Sequence, residues 1–331
     1  MALYQLSAFL SQSFWIPKPP LTSANLHDLT DHVCMITGGY AGVGLALSTI
    51  LYAHNATVYI AGRSFKSASN AIDTVTSAHP SSNGKLHFLQ LDLSDLTTIK
   101  SAVDQFLQRE TKLHWLNNNA GIMHPPPNSV SAQGHDLQFA TNILGPFLLS
   151  KLLQPTLRAT AATSPPNTVR VTWAGSLATV LGTPTGGVAW TADGKDFVSA
   201  GEPVAGYAIT KAANYLLAVE FGKRFGNDDG VLHVAYNPGN LSSSLSRNNN
   251  PWGPLAIVAM LLNFPAEYGA YTELYAGLSP DMTLEKDQGG WIVPWGRRYA
   301  MRVDILAEAQ KEKGTAWKTF EFCDAMSKDF Q

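Results

Sequence analysis

Short apolar runs alternate with longer amphipathic stretches along most of the chain. Residues 33–36, 56–61, 86–91, 113–116, 168–172 and 231–236 are short runs rich in Val, Ile, Leu and aromatic side chains, bounded by Gly, Asn, Asp or Ser. Such runs predict buried strands, and residues 291–295 predict a last, shorter one. Between them, residues 45–51, 96–108, 137–153 and 207–225 carry helical spacing, and 303–313 predicts a surface helix. Strand and helix in alternation predict an α/β protein, a doubly wound parallel sheet of about seven strands with helices on both faces. Pro146 falls inside the third helical stretch. It has no N–H for the carbonyl of Asn142, four residues earlier, which predicts a kink that leaves that carbonyl free to bind water.

No internal repeat, low-complexity tract or linker divides the chain. Residues 1–30 are read as an N-terminal arm and 31–331 as one domain, with a substrate-binding lid over roughly 240–290. The apolar stretch 255–264 is ten residues long, too short to span a bilayer, and suits a core or lid helix lining an apolar cavity. Residues 177–204, rich in Gly, Thr and Pro, predict a long loop of the kind that forms a functional rim. The arm is mildly apolar around Leu6, Phe9, Leu10, Phe14, Trp15 and Ile16 and ends at Pro17, Pro19 and Pro20. It has no basic leader region and no membrane-spanning length. It suits packing on its own domain, and a weak interfacial contact with a membrane stays open.

Composition narrows the function classes. The 331 residues are 45% hydrophobic with a formal net charge of −2, which speaks against a general nucleic-acid or anionic-membrane binder. The two cysteines, Cys34 and Cys323, lack metal-ligand spacing and predict reduced thiols and a cytoplasmic setting. Nothing in the composition sets an oligomeric state.

The glycines carry the first chemistry. Thr37-Gly-Gly-Tyr-Ala-Gly-Val-Gly44 lies between the first strand and the first core helix. Glycines there allow a tight turn and bring a pyrophosphate to the backbone at a helix N-terminus, as in a Rossmann-type fold. An acidic residue about 20 positions on would suit NAD. Arg63 stands 19 residues after Gly44 instead, with no acid at that strand end, and a guanidinium suits the 2′-phosphate of NADP. Asp92 ends the third strand and faces the ligand crevice, whereas Asp95 suits a helix cap. Asn117-Asn-Asn-Ala-Gly121 and Ser176 also stand at strand ends. Tyr207 and Lys211 are four apart, one helical turn from each other. A cation beside a phenol is expected to lower its pKa and make it a general acid/base near neutrality.

Taken in order, Thr37-Gly38-x-x-x-Gly42-x-Gly44, Asp92, Asn118-Asn119-Ala120-Gly121, Asn142, Ser176, Tyr207-x-x-x-Lys211 and Asn237-Pro238-Gly239 resemble the short-chain dehydrogenase/reductase superfamily over residues 31–240. The layout is similar to retinol-dehydrogenase-like and fungal secondary-metabolism members. The resemblance implies a catalytic set of Asn142, Ser176, Tyr207 and Lys211. Tyr207 would exchange a proton with the substrate oxygen and Ser176 would hydrogen-bond that oxygen. Lys211 would bind the nicotinamide ribose, and the Asn142 main-chain carbonyl would hold a water leading from Lys211 to solvent. It implies that NADP(H) lies along Thr37, Gly38, Tyr40, Ala41, Gly42, Val43, Gly44, Arg63, Asp92, Leu93, Asn119, Ala120, Gly121, Tyr207, Lys211, Pro238, Gly239, Leu241 and Ser243, with no metal.

Three features depart from the pattern. Trp173-Ala-Gly175 stands where relatives often have Val-Ser, which bears on the pocket size. Asn117 replaces an apolar residue, and Ser176 and Tyr207 are 31 residues apart, which enlarges the rim. The first expectation is an NADP(H)-dependent oxidoreductase acting on a ketone or secondary alcohol of a hydrophobic small molecule. Alternatives are an enone reductase, epimerase, dehydratase or cyclase with the same fold and cofactor, or a non-catalytic NADP-binding scaffold. A scaffold has no need of all four catalytic residues.

Overall fold

The computed structural model describes residues 2–191, 197, 203–242 and 263–331, of which 203–205 by backbone alone. Helix α1 (Ala2–Ser13) precedes the sheet. Then follow β1 (Val33–Thr37), α2 (Gly42–Ala53), β2 (Thr57–Gly62), α3 (Phe65–Ala78), β3 (Lys85–Gln90), α4 (Leu96–Leu107) and β4 (Trp115–Asn118). The second half holds α5 (Gly145–Ala161), β5 (Arg170–Ala174), α6 (Pro203–Phe221), β6 (Leu232–Tyr236), α7 (Ala266–Leu278), β7 (Trp291–Val293), β8 (Arg297–Arg298), α8 (Val303–Gln310) and α9 (Thr315–Ser327).

The described strands form one eight-stranded sheet in the order β3-β2-β1-β4-β5-β6-β7-β8. The first seven pair parallel, and β8 turns back antiparallel on β7. The order reverses between β1 and β4, so their C-terminal ends splay apart and open a crevice. Strand side chains alternate between the two faces. Ile36, Val58, Trp115 and Val234 pack with Leu47 and Leu51 of α2 and Leu274 of α7. Met35, Leu116, Val171 and Trp173 pack with Ile99 of α4, Phe147 of α5 and Phe320 of α9. Both faces are dry, which is why the strands read as apolar runs rather than alternating ones.

Several expectations change. The helix foreseen over 137–153 is a single turn, Leu137–Phe139, then a π segment, Ala140–Leu144, then α5. Pro146 stands in the first turn of α5, and the wider π turn ahead of it is how the chain accommodates the missing N–H. Of the stretch expected to form a lid, 243–262 lies outside the described residues, and with it most of the apolar run 255–264. Helix α7 is core: Gly277 lets it close on the Trp115 ring, and buried Arg170 donates to its last carbonyls, Ala276 (3.2 Å) and Ser279 (2.7 Å). Helix α8 is not wholly superficial, because Ile305 and Ala309 are buried.

Helix α1 packs on the domain it precedes. Tyr4 donates to the Ala300 carbonyl at 2.6 Å, and Gln5 to that of Val180 at 3.2 Å. Gln12 and Ser13 accept from Asn237 (2.9 Å) and Asn240 (3.0 Å). Its outer face leaves Leu3, Leu6 and Leu10 exposed. No described helix is long and apolar enough to cross a membrane. Both cysteines are buried free thiols.

Candidate active site

The glycine turn is locked to the end of β4. Thr37 Oγ1 donates to the Asn117 carbonyl (3.2 Å) and accepts from Ala120 N–H (2.9 Å), while Asn119 Nδ2 donates to the Thr37 carbonyl (2.8 Å). Gly38 has φ +69°, a left-handed backbone that glycine adopts without strain. Gly44 is needed for a different reason: a Cβ there would stand 2.6 Å from both Asn119 Nδ2 and the Gly38 carbonyl oxygen. Ala41 precedes α2 and provides no side-chain cap. The first-turn N–H groups of α2 therefore point into the crevice with the positive end of the helix dipole.

The remaining cofactor candidates gather around this turn. The Tyr40 ring lies against Gly62, beside exposed Arg63. Among the described residues no acidic side chain forms an ion pair with Arg63. Asp92 accepts from Ser94 N–H (2.9 Å) and Oγ (2.6 Å). Leu93 is buried, with its backbone carbonyl and side chain both against Gly145. Asp95 caps α4, accepting from Thr97 N–H at 3.1 Å. The side chains of Leu241 and Val43 meet over Gly269, which places the segment after β6 beside the glycine turn. Gly239, with φ +100°, lies against Trp295 next to Pro238. Ser243 lies outside the described residues.

The four expected catalytic residues converge at the ends of β4 and β5. The Ser176 hydroxyl stands beside that of Tyr207 and favours its ionised form. Lys211 Nζ lies 5.7 Å from the centre of the Tyr207 ring and donates to the Ala174 carbonyl at 3.0 Å. Asn214, one turn of α6 further along, donates to the same carbonyl at 2.9 Å. Gly121 separates Lys211 from Asn142: a Cβ there would stand 3.1 Å from Lys211 Nζ and 3.2 Å from Asn142 Oδ1. The Asn142 side chain accepts from Ile122 N–H (2.8 Å) and donates to the Ile122 carbonyl (2.9 Å) and Thr210 Oγ1 (3.1 Å). Its amide thus clasps the turn after Gly121.

The electrostatics correct one expectation. Burial pushes Tyr207 up to about 12, opposed by Ser176. Burial brings Lys211 down to about 8. Lys211 stands beside the ring rather than at the hydroxyl, so desolvation of the phenol outweighs the cation. Tyr207 is a protonated acid in this structure. The Trp173 substitution also resolves differently from the expected effect on the pocket. Its ring points into the core, fully buried and 5.3 Å from that of Phe221. Gly175 packs against Trp291.

Four neighbours escaped the sequence reading. The His124 ring stands edge-on to Tyr207, 6.3 Å away, only three residues past the Asn-Asn-Ala-Gly turn. Thr210 and Asn214 lie on the helical face of Tyr207 and Lys211, and the helical period could have flagged both. Buried Arg302 pins the loop after Ser176 by donating to the carbonyls of Val180 (3.0 Å) and Thr183 (3.2 Å). No metal-ligand cluster occurs among the described residues.

The short-chain dehydrogenase family model matches residues 32–165. A curated short-chain dehydrogenase/reductase of Phomopsis amygdali is 44% identical over 87% of this chain and 85% of its own length. The chain belongs to the short-chain dehydrogenase/reductase family. A second member, bet4 of Neocamarosporium betae, is 39% identical over 98% of this chain and 94% of its own length. Among solved structures, the NADPH-bound carbonyl reductase of chicken fatty liver superposes with a TM-score of 0.57 at 20% identity, covering 80% of this chain and 96% of that one. That likeness establishes the Rossmann-type fold of this short-chain dehydrogenase/reductase and nothing finer.

Proposed function

We propose that this oxidoreductase is NADP(H)-dependent and reduces a ketone, or oxidises the matching secondary alcohol, on a hydrophobic small molecule. The observation that carries the reading is the Tyr207–Ser176 hydroxyl pair with Lys211 and Asn142 behind it. The residues present fit the cofactor: Gly44 keeps open a cradle that a Cβ would fill, and the N-terminus of α2 is uncapped. Arg63, exposed at the end of β2 where an acid would favour NAD, supports the phosphorylated dinucleotide. The NADPH in the carbonyl reductase neighbour and the fungal source of the relatives support this cofactor and a role in secondary metabolism.

Thr37–Gly44, Arg63, Asp92, Asn119–Gly121 and Pro238–Leu241 would hold the nucleotide, whose nicotinamide would supply the hydride for the carbonyl carbon. The chain supplies position and a proton. Ser176 donates a hydrogen bond to the substrate oxygen and holds the charge that develops there. Tyr207, protonated at neutral pH, gives its hydroxyl proton to that oxygen, and the product is the alcohol. Lys211, cationic below about pH 8, then stabilises the phenolate, and the Asn142 carbonyl holds the water through which the proton returns. A panel of hydrophobic ketones and enones, followed by NADPH consumption and product mass, tests this directly. Ketone-to-alcohol conversion supports it, and saturation of a C=C bond or a redox-neutral mass would replace it.

A further inference from the structure

Asn117, the polar residue where the family pattern has an apolar one, leads to a buried ring of hydrogen bonds under the cofactor crevice. Asn117 Nδ2 donates to Glu273 Oε2 at 2.9 Å. The Tyr236 hydroxyl lies 2.9 Å from Asn117 Oδ1 and 2.9 Å from Glu273 Oε1. Outside the ring, Trp115 Nε1 donates to Thr172 Oγ1 (2.8 Å), which donates to Asn117 Oδ1 (2.9 Å). The three residues come from β4, β6 and α7. Tyr236 and Glu273 have no exposed surface, and neither has Asn117.

The ring can be counted in protons. Three contacts need three donated hydrogens, one each. The Asn117 amide supplies one and the Tyr236 hydroxyl one. A carboxylate only accepts, so an ionised Glu273 leaves two oxygens 2.9 Å apart with nothing between them. Rotating the Asn117 amide by half a turn does not help. Asn117 Nδ2 then donates to the Tyr236 oxygen, Tyr236 donates to Glu273, and Asn117 Oδ1 faces Glu273 Oε2 and needs the proton there. Either orientation is complete only when Glu273 carries a hydrogen.

We propose that Glu273 is a neutral carboxylic acid whose proton closes this ring, and that Glu273 acts as a positioning residue for the two cofactor turns that leave β4 and β6. Asn117 opens the turn that runs through Asn119 to Gly121, and Tyr236 precedes Asn237-Pro238-Gly239, so α7 is fastened to both turns at their roots. This second clause rests on the proposed cofactor role of those turns, and the first does not. Burial acts in the same direction, pushing the carboxyl up to about 8. The groups facing it are Tyr236 on β6, itself raised by burial, and Lys211 on α6, whose cation favours the carboxylate.

The test uses Glu273→Gln, which supplies one acceptor and the missing donor without a proton that can leave. The infrared difference spectrum of wild type against Glu273→Gln at pH 7 is expected to show the carbonyl band of a protonated carboxylic acid in the wild type. Measured against Glu273→Gln, wild-type stability is expected to fall as pH rises from the usual carboxyl value of 4.5 to about 8, because only the folded state keeps the Glu273 proton in that window, while buried His114 and His233 act alike in both proteins. The KM of Glu273→Gln for NADPH is expected to stay within about twofold of wild type, while Glu273→Ala raises it by roughly tenfold. A carboxylate band in place of the acid band, or Glu273→Gln losing as much stability as Glu273→Ala, overturns the neutral acid. If Glu273→Ala does not fold, the band and the slope measured against Glu273→Gln still decide. Wild-type protein that shows the acid band but fails to bind NADPH refutes the cofactor reading alone. An unchanged NADPH KM in a folded Glu273→Ala overturns the positioning role.

Discussion

Lys211 Nζ donates to the carbonyl of Ala174 at 3.0 Å, two residues before Ser176. A side chain of α6 is thereby tied to the strand that delivers the second hydroxyl of the site. Losing the lysine removes this tie and the cation beside Tyr207 at once, and with them its proposed contact to the cofactor. Lys211→Met is expected to lower kcat/KM by at least about a hundredfold, the scale of a lost acid–base partner, as read in steady-state NADPH oxidation.

The same lysine sets a pH limit. It is held down to about 8 by burial, so its cation is present below that pH and lost above it. The kcat/KM for carbonyl reduction is expected to be level below pH 8 and to decline above it. Tyr207, raised to about 12, stays protonated throughout and adds no limb of its own. A profile still rising above pH 8 would remove Lys211 from the proton path.

Arg63 is exposed at the end of β2 and follows Gly62, against which the Tyr40 ring lies. Replacing it with alanine is expected to weaken NADPH by about 10- to 100-fold, or ~1.4–2.8 kcal/mol, and NADH by less than about threefold. Titration of intrinsic fluorescence with each nucleotide measures both. Equal losses would take Arg63 off the 2′-phosphate.

Gly44 leaves no room for a methyl group, with Asn119 Nδ2 and the Gly38 carbonyl oxygen each 2.6 Å from the position of a Cβ. Gly44→Ala is expected to push Asn119 off the Thr37 carbonyl, to which it donates at 2.8 Å. Losing a buried hydrogen bond costs about 1–3 kcal/mol. The melting temperature and the NADPH dissociation constant are expected to worsen together.

Much of this was legible from the chain. Buried parallel strands read as apolar runs, and the glycine turn announced itself between a strand and a helix. The four expected catalytic residues come together in space, Ser176 from a strand end, Asn142 from the π segment, and Tyr207 and Lys211 from one helical face. What escaped depends on facing or on distant partners. Trp173 was weighed as a pocket residue, but strand alternation turns it toward Phe221. Asn117 was visible only as an anomaly, since its partners Tyr236 and Glu273 lie 119 and 156 residues away. Helix α7, built largely of Ala, Gly and Tyr, has too little apolar contrast to distinguish a core helix from a lid. The acidity of Tyr207 went the other way from the expectation because the sequence reveals a nearby lysine but not the depth of burial.

The central claim is that the Tyr207 hydroxyl donates the proton that completes carbonyl reduction. Tyr207→Phe deletes that hydroxyl and keeps the ring that packs beside His124 and Lys211. With a ketone that the wild type reduces, the variant is expected to bind NADPH within about twofold of wild type and to lose at least about a thousandfold in kcat. Turnover within a few-fold of wild type would contradict the account.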